Sequence, residues 1–113
     1  MLSLRDFLHH ISDEINYVLK HTNGLSEEQF LTDETLTRAV IRSLEIIGEA
    51  TKKLPEDFKL ENPHVEWKKM AGTRDVLIHD YFGVDWEIVW DIITSKLPGL
   101  KDDIDEILNV YKD

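Results

Sequence analysis

Residues 34–54 read ETLTRAVIRSLEIIGEATKKL, and apolar or small side chains return at Leu36, Val40, Ser43, Leu44, Ile47, Thr51 and Leu54. A return every three or four residues marks the buried stripe of an α-helix, whereas a half-buried strand would alternate. Thr32 or Asp33 can cap the start, and Pro55 stops the helix. Gly48 interrupts its interior. Glycine weakens a helix by roughly 1 kcal/mol relative to alanine, a cost that makes sense where another helix must approach closely; the alternative is a tolerated glycine with no special contact.

The same spacing extends outward in both directions. Leu4, Phe7, Leu8, Ile11, Ile15, Val18 and Leu19, with Ser3 as cap, predict a helix over 4–21 that ends at Asn23-Gly24. Ser26 to Gln29 reads as a short helical turn. Residues 55–64, with Pro55, Asn62, Pro63 and several charges, read as loop. Trp67, Met70, Ala71, Arg74, Leu77, Ile78 and Tyr81 then predict a third long helix over 65–81, ended by Gly83. Asp85 can cap a fourth, carrying Trp86, Val89, Trp90, Ile93 and Leu97. Pro98-Gly99 is expected to bend or break the chain before a last helix with Leu100, Ile104, Ile107 and Leu108. No long strand-like alternation competes, so the expected fold is all-α, a four- to five-helix bundle in one domain over residues 1–113.

Composition narrows the chemistry. The chain has 113 residues, 42% of them hydrophobic, enough for one modest core. Without cysteine it has no disulfide, thiolate chemistry or cysteine-based metal site. The first residues, interrupted by Arg5, Asp6, His9 and His10, hold no apolar signal-peptide core, and no run approaches membrane-spanning length, so the cytoplasm is the expected location. Net charge is −10, yet residues 38–79 hold 8 Lys/Arg against 7 Asp/Glu, while 1–37 and 80–113 carry −5 and −6. Contact with a polyanion must therefore be local.

The chemistry-bearing stretch lies at that local exception: Arg74-Asp75-Val76-Leu77-Ile78-His79-Asp80-Tyr81. Arginine offers a planar donor fork for two phosphate oxygens, and histidine exchanges protons near neutral pH. Together they suit cleavage of RNA without a metal: the 2′-oxygen attacks the adjacent phosphorus, the 5′-oxygen leaves, and a 2′,3′-cyclic phosphate or its hydrolysis product remains. On a helix Arg74 and His79 would stand about 7.5 Å apart along the axis and about 140° around it. Arg74 and Tyr81 would face nearly the same way, and a two-fold partner would bring a second set opposite the first.

These residues match the Arg-x4-His-x-Tyr motif, and residues 42–50, 67–72, 81–85 and Val89-Trp90 extend the likeness. The chain resembles HepT-type HEPN-domain ribonuclease toxins. The resemblance implies a HEPN-like helical homodimer, without cofactor, that acts as a metal-independent endoribonuclease with Arg74 and His79 of both subunits at a shared cleft. It also implies a type VII toxin–antitoxin pairing with an MntA-type minimal nucleotidyltransferase antitoxin, which transfers AMP to the motif tyrosine, here Tyr81. Asp75 fits the pattern loosely; its charge would orient Arg74 or His79 and also repel RNA phosphate.

Other residues have plainer readings beside functional ones. Arg38 and Arg42, four apart with Glu45 and Glu49 nearby, form an RNA-facing ridge or a salt-bridged solvent face. Lys52-Lys53 and Lys68-Lys69 suit backbone phosphates or simple solubility. His9-His10 with Asp13 and Glu14 lacks any recognised metal-ligand pattern, His64 reads as a loop or cap residue, and Trp67, Trp86 and Trp90 suit core or interface packing better than base stacking. The rival to an enzyme is a non-catalytic helical module that binds a nucleotide or a nucleotidyltransferase partner. Transferase activity in this chain is disfavoured, because no Gly-Ser pair is followed by paired metal-binding aspartates.

Overall fold

The two longest helices form the frame, and their caps explain their limits. The structure, a computed structural model, describes residues 2–73, 78–80 and 83–111. Helix α1 spans Leu4–Thr22 and opens on a reciprocal cap: Ser3 Oγ accepts from the Asp6 N–H at 3.2 Å, and the Asp6 carboxylate accepts from the Ser3 N–H at 2.8 Å. These bonds hold the Asp6 carboxyl below its ordinary pKa. Gly24, at φ 78°, turns the chain after α1 in a conformation that side chains with a Cβ rarely adopt. Ser26 and Gln29 form a second reciprocal cap for α2, Glu27–Leu31, which drives Phe30 into the core. Asp33 caps α3, Glu34–Lys52, by accepting from the Leu36 N–H at 3.0 Å.

α1 and α3 pack along each other, and α7, Leu97–Val110, packs against α1. Leu8, Ile11, Ile15 and Val18 meet Val40, Leu44 and Ile47 in a core that Ile104 and Ile107 complete. Buried Thr22 and Thr51 return their hydroxyls to carbonyls four residues back, at 2.7 Å each, so their burial leaves no donor unmet.

Three expectations about the chain's punctuation need correction. Residues 55–64 are not simply loop: α4 spans Glu56–Glu61, with Pro55 at its N-cap. The fixed φ of proline suits the start of a helix as well as its end, and Glu56 and Asp57 favour the positive pole of the new one. Phe58 is buried between Trp67 and Tyr111, with ring centroids 5.5 and 5.2 Å away. The helix expected over 65–81 does not run unbroken: α5, Trp67–Ala71, is closed by Gly72, and Ile78–Asp80 is a strand, β1, paired antiparallel with β2, Gly83–Val84, while residues 74–77 lie outside the described residues. Apolar spacing persists through Leu77 and Ile78, but Gly72 offers a stop and the β-branched Ile78 suits the extended chain opposite Val84.

The third correction concerns Pro98. Helix α6, Trp86–Asp91, runs through a π-helical segment, Ile92–Lys96, directly into α7, with no break at Pro98-Gly99. The Leu97 N–H reaches the Ile92 carbonyl, five residues back. This wide turn sits where an α-helical proline would clash with the carbonyl four residues before it, so it relieves the conflict while the chain continues. The far end of α7 is held by Arg5 of α1, whose guanidinium donates to the Leu108 carbonyl at 3.1 Å and also to the Tyr111 carbonyl. A cation there meets the negative pole of the helix.

Candidate active site

The expected motif is bracketed by two anchored segments. On the N-terminal side, Trp67 is buried and its indole N–H donates to the Asn62 carbonyl at 2.9 Å. The end of α5 is pressed on α3 at Gly48, where an added Cβ would sit 3.4 Å from the Met70 oxygen and 3.5 Å from the Ala71 oxygen. The close approach offered as the reason for Gly48 is present. Thr73, which precedes Arg74 in the sequence, donates its hydroxyl to the Lys69 carbonyl at 3.1 Å. On the C-terminal side, Asp85 caps α6 by accepting from the Ile88 N–H at 3.3 Å, and Val84 pairs with Ile78.

Arg74, Asp75 and Tyr81 lie outside the described residues, and His79 is placed by its backbone, in β1. The helical geometry expected between Arg74 and His79 does not hold at its His79 end, since that residue is in a strand. Arg38 is a solvated surface cation: it pairs with Glu34 at 3.0 Å, both side chains about four-fifths exposed, which favours the salt-bridged reading with a different acid from those expected. Arg42 is exposed and makes no ion pair among the described residues. It edges a shallow depression of about 220 Å³ with Phe7, His10 and Lys53. His10 meets the Phe7 ring edge-on at 6.3 Å, and no described group of three or more His, Asp or Glu gathers closely enough to hold a metal.

The aromatic residues divide as core packing. Phe30 sits against Trp86 and Trp90, centroids 6.2 and 5.5 Å away, and Trp67 against Phe58. These contacts favour the packing reading of the tryptophans.

A larger groove, about 660 Å³, opens between α3, α5 and the junction of the π segment with α7, and it reaches Thr73. Leu44, Ile47, Met70, Ile92 and Leu97 make its floor apolar. Lys68, Lys69, Lys96 and His64 stand around it with Glu66, Asp91 and Asp103. Glu66 and Lys69 are bound to one another at 2.6 Å, and that hydrogen bond lowers the pKa of the carboxyl and raises that of the ammonium. Lys68 and Lys96 make no ion pair among the described residues. Reading the sequence singled out Lys68 and Lys69 but missed Lys96, because in an unbroken α-helix Lys96 and Asp91, five apart, would diverge. The π turn brings both to the groove. Pro98 was the available signal.

Comparisons with known proteins place the chain in a family. The family described as "Ribonuclease HepT-like" matches residues 11–107, a span that contains the whole motif. "Putative RNase TTE0752" of Caldanaerobacter subterraneus subsp. tengcongensis is 46% identical over 112 residues, covering 99% of this chain and 100% of the relative. "Probable ribonuclease HepT" of Thermococcus cleftensis is 44% identical over 99 residues, covering 88% of this chain and 90% of the relative. No solved structure matches. A match of this breadth, on a helical frame and spanning the Arg-x4-His-x-Tyr stretch, means that the chain belongs to the HepT-like ribonuclease family.

Proposed function

We propose that this chain cuts RNA without a metal, using Arg74 and His79, and is the toxin of a type VII HepT/MntA toxin–antitoxin system. The observation that carries this reading is the family match across residues 11–107, which includes Arg74, His79 and Tyr81 at the spacing of the motif. His79 takes the proton from the 2′-hydroxyl or supplies one to the departing 5′-oxygen. Arg74 binds the non-bridging phosphate oxygens more strongly as their charge grows. The new bond joins the 2′-oxygen to phosphorus, the bond from phosphorus to the 5′-oxygen breaks, and a 2′,3′-cyclic phosphate is left. In this reading two copies form the working unit, with Asp75 beside the pair as an orienting charge.

Control is assigned to a minimal nucleotidyltransferase antitoxin. It would join the Tyr81 oxygen to the α-phosphorus of ATP and release pyrophosphate. AMP on Tyr81 adds negative charge and bulk near the motif in the sequence, opposing RNA phosphate. The family match supports a ribonuclease, and the tyrosine at its motif position supports the target of modification.

The test is cleavage of defined RNAs, mature tRNA among them, in EDTA, with end-group analysis and folded Arg74→Ala and His79→Ala controls. Cleavage by the unmodified protein alone, leaving cyclic phosphate ends, is expected. Full activity in His79→Ala would end the proposal.

A further inference from the structure

The groove beside Thr73 has no role in the chemistry just described, yet its position and lining suit a substrate. We infer that it is a nucleotide subsite for single-stranded RNA, seating an unpaired base that flanks the bond to be cut; this rests on the ribonuclease reading above. Three observations point to it. The groove reaches Thr73, the residue next to Arg74 in the sequence, so a chain whose phosphate is held by the motif has its neighbouring nucleotide at hand. Its floor of Leu44, Ile47, Met70 and Ile92 offers an apolar surface for a base, and its volume of about 660 Å³ falls in the range of small-ligand sites.

Charge distinguishes the occupant. Lys68 and Lys96 approach the groove from α5 and from the π segment; neither makes an ion pair among the described residues, and Lys96 lies near enough to Glu66 to help lower its pKa. Glu66 is already neutralised by Lys69 at 2.6 Å. Asp91 and Asp103 remain on the α6–α7 side, which favours phosphates on the α5 side and disfavours a duplex, whose two backbones would bring one strand against these acids. In a chain of net charge −10, two lysines without an ion pair among the described residues, beside an apolar floor, are a local invitation to a flexible strand: phosphates go to the lysines, the base goes to the floor.

The experiment measures binding of a short fluorescent RNA bearing 2′-O-methyl groups, which cannot be cut, to the full chain over a series of salt concentrations. The variants are Lys68→Ala with Lys96→Ala, and Ser95→Trp, which fills the groove from an exposed position; thermal melting verifies their folding. The double lysine variant is expected to weaken binding about tenfold and to flatten the slope of log affinity against log salt by about 1.4. Ser95→Trp should weaken binding with its salt slope unchanged. On cuttable RNA both variants should raise KM more than they lower kcat. Wild-type affinity and slope in both variants, or no binding by wild type, overturns the subsite. Loss of these effects with cleavage intact sinks the subsite alone, whereas binding that obeys them in a protein that cuts nothing sinks the ribonuclease reading and keeps the groove.

Discussion

α3 and the stretch from Gly72 to Asp85 both carry apolar residues at helical spacing, yet the second contains a strand. α3 has an aspartate cap, a buried stripe of Val40, Leu44 and Ile47, and α1 lying along it. The later stretch has glycines at Gly72 and Gly83, and within it Ile78–Asp80 is extended against Gly83–Val84. A two-stranded ribbon is marginal by itself, so this part of the molecule borrows its order from the anchors on either side. The lesson is a division of labour: the bundle stores stability, and the segment between its anchors is where the proposed chemistry falls.

Substitutions can break that division from either side, and the largest effect falls on activity. Removing the imidazole with His79→Ala should lower RNA cleavage about a hundredfold to ten-thousandfold with the melting temperature nearly unchanged, as single-turnover kinetics and calorimetry would report. A matched drop in both would show that the motif is structural. The converse variant, Leu44→Ala, empties a site that is 1% exposed and should cost about 2–5 kcal/mol in denaturant unfolding. Leu44 also borders the groove, so its remaining folded fraction reports whether core and RNA binding are separable.

Gly48 sharpens the comparison because it belongs to both regions. An alanine Cβ would make ordinary contact with the Met70 and Ala71 carbonyls, so the helix-propensity gain and the close fit should leave Gly48→Ala within about 1 kcal/mol of the parent. Gly48→Leu must push α5 away, costing about 1–3 kcal/mol. If α5 positions the motif, cleavage should fall in Gly48→Leu by more than its unfolding accounts for, and activity per folded molecule is the measurement that decides.

The smallest effects are titrations at the frame's ends. Asp6 has a lowered folded-state pKa from its bonds to Ser3, so its contribution is present above the unfolded carboxyl pKa and lost as pH falls through the folded one. Asp6→Asn should therefore flatten the stability profile in the acid range, read by melting from neutral pH downward. Tyr111 behaves oppositely: its hydrogen bond to Glu61 at 2.8 Å raises the phenol pKa, so its contribution is present below the unfolded value and lost as pH rises through the folded one. Tyr111→Phe should erase that alkaline loss.

The frame was legible because its signals were local and agreed with one another. Ser3, Asp33 and Asp85 announced helix starts, and the periodic stripes of α1 and α3 became the core. Misreadings arose at Pro55 and Pro98, where proline was taken as an end. Proline also begins helices, and a π turn can carry one through it. The candidate site was legible as a motif, Arg74, His79 and Tyr81, but not as geometry. Periodicity predicted a helix through 81, while tertiary anchors and glycines led to a strand at His79. Arg5 shows another limit: nothing nearby in sequence reveals that it holds carbonyls of α7, more than a hundred positions away.

The π segment has a consequence for how this molecule can vary. It works as a phase slip in an otherwise continuous rod, with the aromatic clamp on Phe30 at one end and the core residues Ile104 and Ile107 at the other. Deleting one residue between Ile92 and Lys96 would restore a regular pitch and leave both ends on nearly their present faces, because the wide turn already absorbs one extra residue. The same deletion in the regular helix on either side would rotate one end by about 100° and turn either the clamp or the core toward water, so the rod tolerates the loss of a residue at the wide turn and not beside it.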